Sequence, residues 1–314
     1  MLSPLRRFSA PLAGLSLAVL ATLAHAGEPL RGVIDAPALK GKLGTRGVVV
    51  LDIRSGETRE AGRATFNSGR IPGAVHGDYA HGAWRLPRGK VSVYLPEPAQ
   101  FEALAGDLGV SNDSHVVVVH EGTDATSFGA AARVYWTFKA MGHTSVAILD
   151  GGYRAWQQAG YPVETGSPKV PQAALYEAKP VQGLRAKLDD VLAASNQNVA
   201  LIDSRPESFF SGLEKHRGVE AFGHIPGALN VPHHTAFGPD FRLKDKASLA
   251  KIFAPAGDGA AIAYCNTGHW AATDWFVLSE VLGKRDVKLY DGSMLEYASE
   301  KKGPVHNPKA GSGS

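Results

Sequence analysis

Short uninterrupted apolar runs alternate with longer segments of helical periodicity along most of the chain. Val48-Val-Val-Leu-Asp52-Ile-Arg54 reads as a buried strand ending in polar residues, and Val199-Ala-Leu-Ile-Asp203-Ser-Arg205 repeats it. Val116 to Val119 is a run of four valines whose counterpart is Ala260 to Tyr264. Helices are expected over Ala130 to Met141, stopped by Gly142, and over Ala271 to Leu282, stopped by Gly283. Glycine just past a helix enters the left-handed conformation without steric cost, which ends the helix there. Strands that alternate with helices predict an α/β fold in which a mainly parallel sheet is flanked by helices. In such sheets ligands bind beyond the carboxyl ends of the strands.

The pattern occurs twice. Gly69-Arg-Ile-Pro-Gly-Ala-Val75 recurs as Gly223-His-Ile-Pro-Gly-Ala-Leu229, and Leu149-Asp150-Gly151-Gly152 recurs as Tyr290-Asp291-Gly292-Ser293. Together with the repeated Asp-x-Arg strand, this makes three matches in the same order, the signature of an internal duplication. Pro162, Pro168, Pro171 and Pro180 lie between the copies in a stretch of little periodicity, which reads as an extended linker. The expected organisation is a first domain over residues 27–165, a linker over 166–182, a second domain over 183–308 and a disordered tail over 309–314.

Residues 1–26 stand apart from this scheme. Arg6 and Arg7 precede a mostly apolar stretch from Phe8 to Leu23, and Ala24-His25-Ala26 matches the small-x-small pattern of signal cleavage. The apolar run contains Pro11 and Gly14 and falls short of the ~20 residues a spanning helix needs. A cleaved signal peptide and a periplasmic or otherwise exported location are therefore expected, with no membrane association after cleavage. The chain has 314 residues and a net charge of +3, and 44% of its residues are hydrophobic. That charge suits a small anionic ligand. Without a Lys/Arg-rich run it does not suit nucleic acid.

Only one cysteine is present, Cys265, so no intramolecular disulfide can form. Its neighbourhood is Ala261-Ile-Ala-Tyr-Cys265-Asn-Thr-Gly-His-Trp270-Ala-Ala, a nucleophile at the end of a buried strand, followed by a short loop and a helix. Backbone N–H groups of such a loop can converge on an anion, and the helix start adds positive potential. An inert buried cysteine would have apolar neighbours on both sides. Here Asn266, Thr267, Gly268 and His269 follow, which favours a reactive thiolate, with Gly268 allowing the tight curl.

These residues resemble the tandem-domain rhodaneses, a group that includes thiosulfate and mercaptopyruvate sulfurtransferases. The resemblance rests on Asp203-Ser-Arg205, Gly223-His-Ile-Pro-Gly-Ala228, the Cys265–Trp270 loop and Leu289-Tyr-Asp-Gly292. It implies two rhodanese-like domains and a Cys265 persulfide that passes sulfur from a small anionic donor to a thiol or cyanide, with a sulfur-accepting protein as a further candidate partner. No cofactor is implied. The first copy reads His120-Glu-Gly-Thr-Asp-Ala-Thr-Ser-Phe128 without a cysteine, so the resemblance casts it as a non-catalytic partner walling the cleft. The active copy departs from the family where a substrate-binding arginine is usual, since Phe209-Phe210 stands there. Lys215, His216 and Arg217 are the nearby candidates for that charge.

Asn266, Thr267, Gly268, His269, Trp270, Lys215 and Arg217 are the expected substrate-binding residues. Asp203, Arg205 and His224 are expected to serve structure. His269 either tunes the cysteine or lines the pocket. His233-His234 invites a metal reading, but adjacent side chains point apart and no further ligand stands at suitable spacing, so no metal is expected. Two other functions compete with sulfur transfer: a non-catalytic persulfide carrier, and a phosphatase or arsenate-reductase relative. The second needs a longer loop ending in an oxyanion-clamping arginine, and Trp270 occupies that end.

Overall fold

The computed structural model describes residues 28–89 and 91–309. The expected signal peptide and residues 310–314 of the expected tail lie outside the described residues. The strands in chain order are β1 (Val33–Ile34), β2 (Val48–Asp52), β3 (Val75–His76), β4 (Leu86–Arg88), β5 (Val91–Tyr94), β6 (His115–Val119), β7 (Val146–Leu149), β8 (Arg185–Ala186), β9 (Ala200–Asp203), β10 (Leu229–Asn230), β11 (Ala261–Tyr264) and β12 (Val287–Tyr290).

Two five-stranded sheets form, ordered β1-β7-β6-β2-β3 and β10-β9-β11-β12-β8, and β4 and β5 make a separate hairpin. Every ladder within the two large sheets is parallel. The α/β duplication expected from the sequence is thus the architecture found. The valine run explains why β6 is central. Val116 and Val118 face one core and Val117 and Val119 another, so both faces of the strand are buried. β11 behaves alike, with Ala261 and Ala263 on one side and Ile262 and Tyr264 on the other.

The inner faces of the two sheets feed one continuous core. At its centre the helix Ala125–Ala140 packs on the helix Trp270–Phe276. Phe128 meets Phe276 edge-on at 5.5 Å, and Tyr135 meets it at 4.9 Å. Such aromatic pairs contribute roughly 0.5–1.5 kcal/mol each beyond area burial. The Tyr135 hydroxyl donates to Glu280 Oε2 at 2.5 Å, and Trp136 Nε1 donates to the Leu184 carbonyl at 3.2 Å. The first of these helices starts earlier than Ala130 because Asp124 caps it, accepting from Ser127 N at 2.6 Å. The second passes into wider π-type turns over Val277–Val281 before Gly283, whose φ of 73° ends it.

The proline-bearing segment between the copies carries no regular element over residues 166–182, yet it is strapped to the first half. Ala174 N donates to the Gly106 carbonyl, Lys179 N to Met141 and Val181 N to Ala140. Tyr176 is buried and stands edge-on to Phe101 at 5.3 Å.

The repeated motifs have one structural explanation. Arg54 binds Asp52 through Nε and Nη2 and donates from Nη2 to the Gly69 carbonyl at 2.6 Å. Arg205 binds Asp203 in the same way and donates to the Gly223 carbonyl at 2.9 Å. Each Asp-x-Arg strand end is thereby clamped to the glycine that opens the Ile-Pro-Gly-Ala turn. The bidentate pairing offsets the cost of burying both charges.

Candidate active site

β6 and β11 occupy equivalent central places in their sheets, and each ends in a loop that leads into one of the two packed helices. Cys265 follows β11 and is 1% exposed. It lies at a cavity of about 170 Å³ lined by Thr126, His216, Cys265, Asn266, Thr267, His269 and Trp270. Thr126 belongs to the first half, so the cavity is a cleft between the halves.

Ser293 sets the curl of the Cys265 loop. Its Oγ accepts from Cys265 N at 3.1 Å and from Gly268 N at 3.0 Å, while donating to the Tyr290 carbonyl at 2.8 Å. Met294 N and Leu295 N cap the carbonyls of Cys265 and Asn266 at 3.1 and 3.0 Å. Ser293 has a φ of 50°, a left-handed conformation uncommon for a non-glycine residue and typical of functional sites. The first copy carries Gly152 at this place, with a φ of 59°. Among the described residues, the N–H groups of Asn266, Thr267, His269 and Trp270 have no protein acceptor, so they remain free for an anion.

His269 is tied to the first half through both ring nitrogens. Nε2 lies 2.8 Å from the Thr126 carbonyl and therefore carries the proton. Nδ1, at 3.1 Å from the Tyr79 hydroxyl, accepts from it. Burial, followed by the Arg85 charge, pushes the imidazole down to about 3. With both nitrogens engaged and no proton to gain near neutrality, His269 serves as a strut and a wall and not as a base. Trp270 donates from Nε1 to Thr126 Oγ1 at 3.2 Å and stacks on His233 at 4.8 Å.

The expected cations are placed elsewhere. The Lys215 ammonium donates to the Val219 carbonyl at 3.1 Å, and both Lys215 and Arg217 are exposed and outside the cavity lining. Consecutive residues cannot all face one pocket, and it is His216 that turns inward. Burial and then the Arg217 and Lys215 charges lower the pKa of His216, and among the described residues the cavity wall holds no lysine or arginine. His224 stacks face to face on Phe210 at 3.6 Å, and its Nδ1 lies 2.7 Å from the Phe210 carbonyl. Among the described residues no cluster of three or more His, Cys, Asp or Glu could hold a metal ion.

The loop of the first half frames a larger cleft of about 340 Å³, whose walls include His120, Glu121, Asp124, Thr126 and His269. His120, at the place of Cys265, accepts at Nδ1 from Gly122 N at 3.2 Å, and the Ser127 hydroxyl lies 3.0 Å away. Tyr79 and Thr126 have no local motif to announce them. His216 stands between the two expected cations, and Ser293 is marked by standing in the repeat where glycine stands in the first copy.

Three histidines held neutral predict an acid limit to stability. Burial holds His120 and His269 at about 3 and His233 at about 4, against an ordinary value of 6.5. The native pKa values lie below the unfolded ones, so the unfolded chain takes up protons first. Stability is complete above about 6.5 and falls as the pH drops toward 4. The three should together cost roughly 5–6 kcal/mol between pH 7 and 5, at roughly 1.4 kcal/mol per unit per group. Urea midpoints across that range check this. His233→Gln should remove about a third of the decline, and a flat profile in the unmodified protein would contradict it.

Comparison with known proteins agrees with this geometry. The profile of the Rhodanese-like domain matches residues 35–159 and 186–300. A Mycolicibacterium smegmatis protein provisionally named thiosulfate sulfurtransferase is 36% identical over 77% of this chain and 87% of its own length. Thiosulfate sulfurtransferase of Gallus gallus is 34% identical over 77% of this chain and 82% of its own. The crystal structure of SseA from Escherichia coli, described among 3-mercaptopyruvate sulfotransferases, superposes with a TM-score of 0.70 at 30% identity, covering 83% of this chain and 98% of that one. With the profile matched in both halves and relatives alike over most of its length, the chain belongs to the rhodanese family.

Proposed function

We propose that the protein is a sulfurtransferase that moves a sulfane sulfur from thiosulfate, or a related small anionic donor, to a thiophilic acceptor through a Cys265 persulfide. The observation that carries this reading is the buried thiol at the mouth of a loop whose N–H groups at Asn266, Thr267, His269 and Trp270 lack protein acceptors. The names of the relatives from Gallus gallus and Mycolicibacterium smegmatis support the donor.

The Cys265 thiolate attacks the outer sulfur of thiosulfate. A new S–S bond forms, the old one breaks, and sulfite leaves with the electron pair. The negative charge on the terminal persulfide sulfur then lies among the loop N–H donors, which stabilise it without reorganising. An acceptor such as cyanide attacks that terminal sulfur, thiocyanate departs and the thiolate is restored. This is ping-pong covalent catalysis. Asn266, Thr267, Gly268, His269 and Trp270 shape the donor site. Asp203, Arg205 and His224 hold the fold behind it.

The protein acts, on this reading, outside the cytoplasm after removal of residues 1–26, whose composition is that of a signal peptide. Donor transfer is tested by incubation with thiosulfate followed by intact mass. A gain of one sulfur atom, reversed by cyanide with release of thiocyanate, is expected. A mass that never changes would overturn the reading, and a sulfur gained without turnover would mark a carrier. Mature N-terminal sequencing tests the export step.

A further inference from the structure

The Cys265 cavity must receive an anion, yet its wall contains neither lysine nor arginine, and His269 and His216 are both driven toward the neutral form. Arg205, which reaches Asn266 Oδ1 at 3.5 Å, is neutralised by its bidentate pairing with Asp203. The positive charge that favours a thiolate must therefore come from elsewhere, and the first half supplies a candidate.

Arg133 projects from the helix Ala125–Ala140 and is fully buried at 0% exposure. Its Nη1 donates to the Gly268 carbonyl of the Cys265 loop at 3.1 Å, and its Nη2 donates to the Val93 carbonyl at 2.8 Å. Nε is buried and has no partner. Among the described residues the acid facing it is Asp291, which stands 3.7 Å away and is already committed. Asp291 takes Arg185 Nε at 2.9 Å and Leu95 N at 2.7 Å. Two guanidinium groups share this carboxylate, and Glu296 lies beside Tyr94 and Arg185, so Arg133 is the fully buried cation of the cluster whose one facing acid is already paired to Arg185. A guanidinium does not shed its proton there.

We propose that Arg133 is the residue through which the first half activates the second: it anchors the Cys265 loop at Gly268 and supplies the positive potential that holds Cys265 as a thiolate. The first half is then an electrostatic component of the site as well as a wall. The other groups facing Arg133 are Tyr79, Arg85, Asp291 and Arg185. Those around Cys265 are Tyr79, with the half-buried Arg85 over its ring, Arg205 with Asp203, His269 and His216. None of them adds an uncompensated buried cation in contact with the loop.

The inference rests on the sulfur-transfer reading of Cys265, but its test does not require turnover. The chain has one thiol, so the pH profile of iodoacetamide alkylation reports Cys265 alone. Arg133→Gln keeps a donor for a carbonyl but removes the charge, and Arg133→Met removes both. In each, alkylation at pH 7 should slow about ten-fold and the profile should move to higher pH, as loss of an adjacent cation requires. Arg133→Lys should keep the rate at pH 7 within about three-fold of the unmodified protein, because its charge is retained. Circular dichroism and a cooperative melt identify the folded variants. A wild-type profile in a folded Gln or Met variant would overturn the proposal. If neither neutral variant folds, the Lys variant decides, and a ten-fold slower rate in it would overturn the proposal. Failure of the unmodified protein to gain sulfur from thiosulfate would instead sink the sulfur-transfer reading and leave the alkylation result standing.

Discussion

Cys265→Ser is expected to reduce thiocyanate formation from thiosulfate and cyanide to the uncatalysed background. Serine preserves the size of the side chain and the hydrogen bonds of the loop, which run through the backbone of residue 265 and Ser293 Oγ. Fold and stability should therefore survive. The hydroxyl cannot hold a sulfane sulfur, and an alcohol is a far weaker nucleophile than a thiol. No second thiol exists to take over. Intact mass after thiosulfate should show no added sulfur in the variant. Residual cyanide-dependent turnover above background, or sulfur retained elsewhere on the chain, would remove Cys265 from its assigned role.

That the chemistry can be placed on one residue from sequence follows from how the loop is written. Cys265 to Trp270 is contiguous, and a buried strand before it and a helix after it are each legible from apolar pattern. The two parallel sheets were legible for the same reason, since the valine run of β6 and the apolar run of β11 have no polar face to offer solvent. Contacts made by residues distant in the chain were not legible. Tyr79, Thr126 and Arg133 reach the Cys265 loop from another domain, and no periodicity encodes that approach. The Pro-rich segment shows the same gap. Its composition describes an extended chain, but the burial of Tyr176 depends on a cavity built by Phe101 and His143. Lys215 and Arg217 show the opposite error. Their charge suggested an anion site, yet the turn at this point directs His216 inward and leaves its neighbours in solvent.

Gly268→Ala is expected to lower sulfur transfer by about 100-fold or more, a displacement of about 1 Å at a reacting centre being enough for that. Gly268 has a φ of 67°, and a Cβ there would stand 2.6 Å from Arg133 Nη1 and 2.7 Å from the Asp291 carbonyl oxygen. Neither neighbour can yield cheaply. Arg133 is enclosed on all sides and fixed by the Val93 carbonyl, and the Asp291 oxygen belongs to the backbone that leads into Ser293. The loop must therefore move, which pulls Gly268 N away from Ser293 Oγ and shifts the loop N–H groups that lack protein acceptors. Gly283→Ala separates this effect from ordinary backbone strain. Its φ of 73° is as left-handed, but nothing lies within 4 Å of the added Cβ. It should cost only about 1 kcal/mol in stability and leave turnover unchanged. Thermal melts and steady-state thiocyanate assays on the two variants make the comparison. Equal activity in both would mean that the crowded seat of Gly268 does not set the geometry of the site.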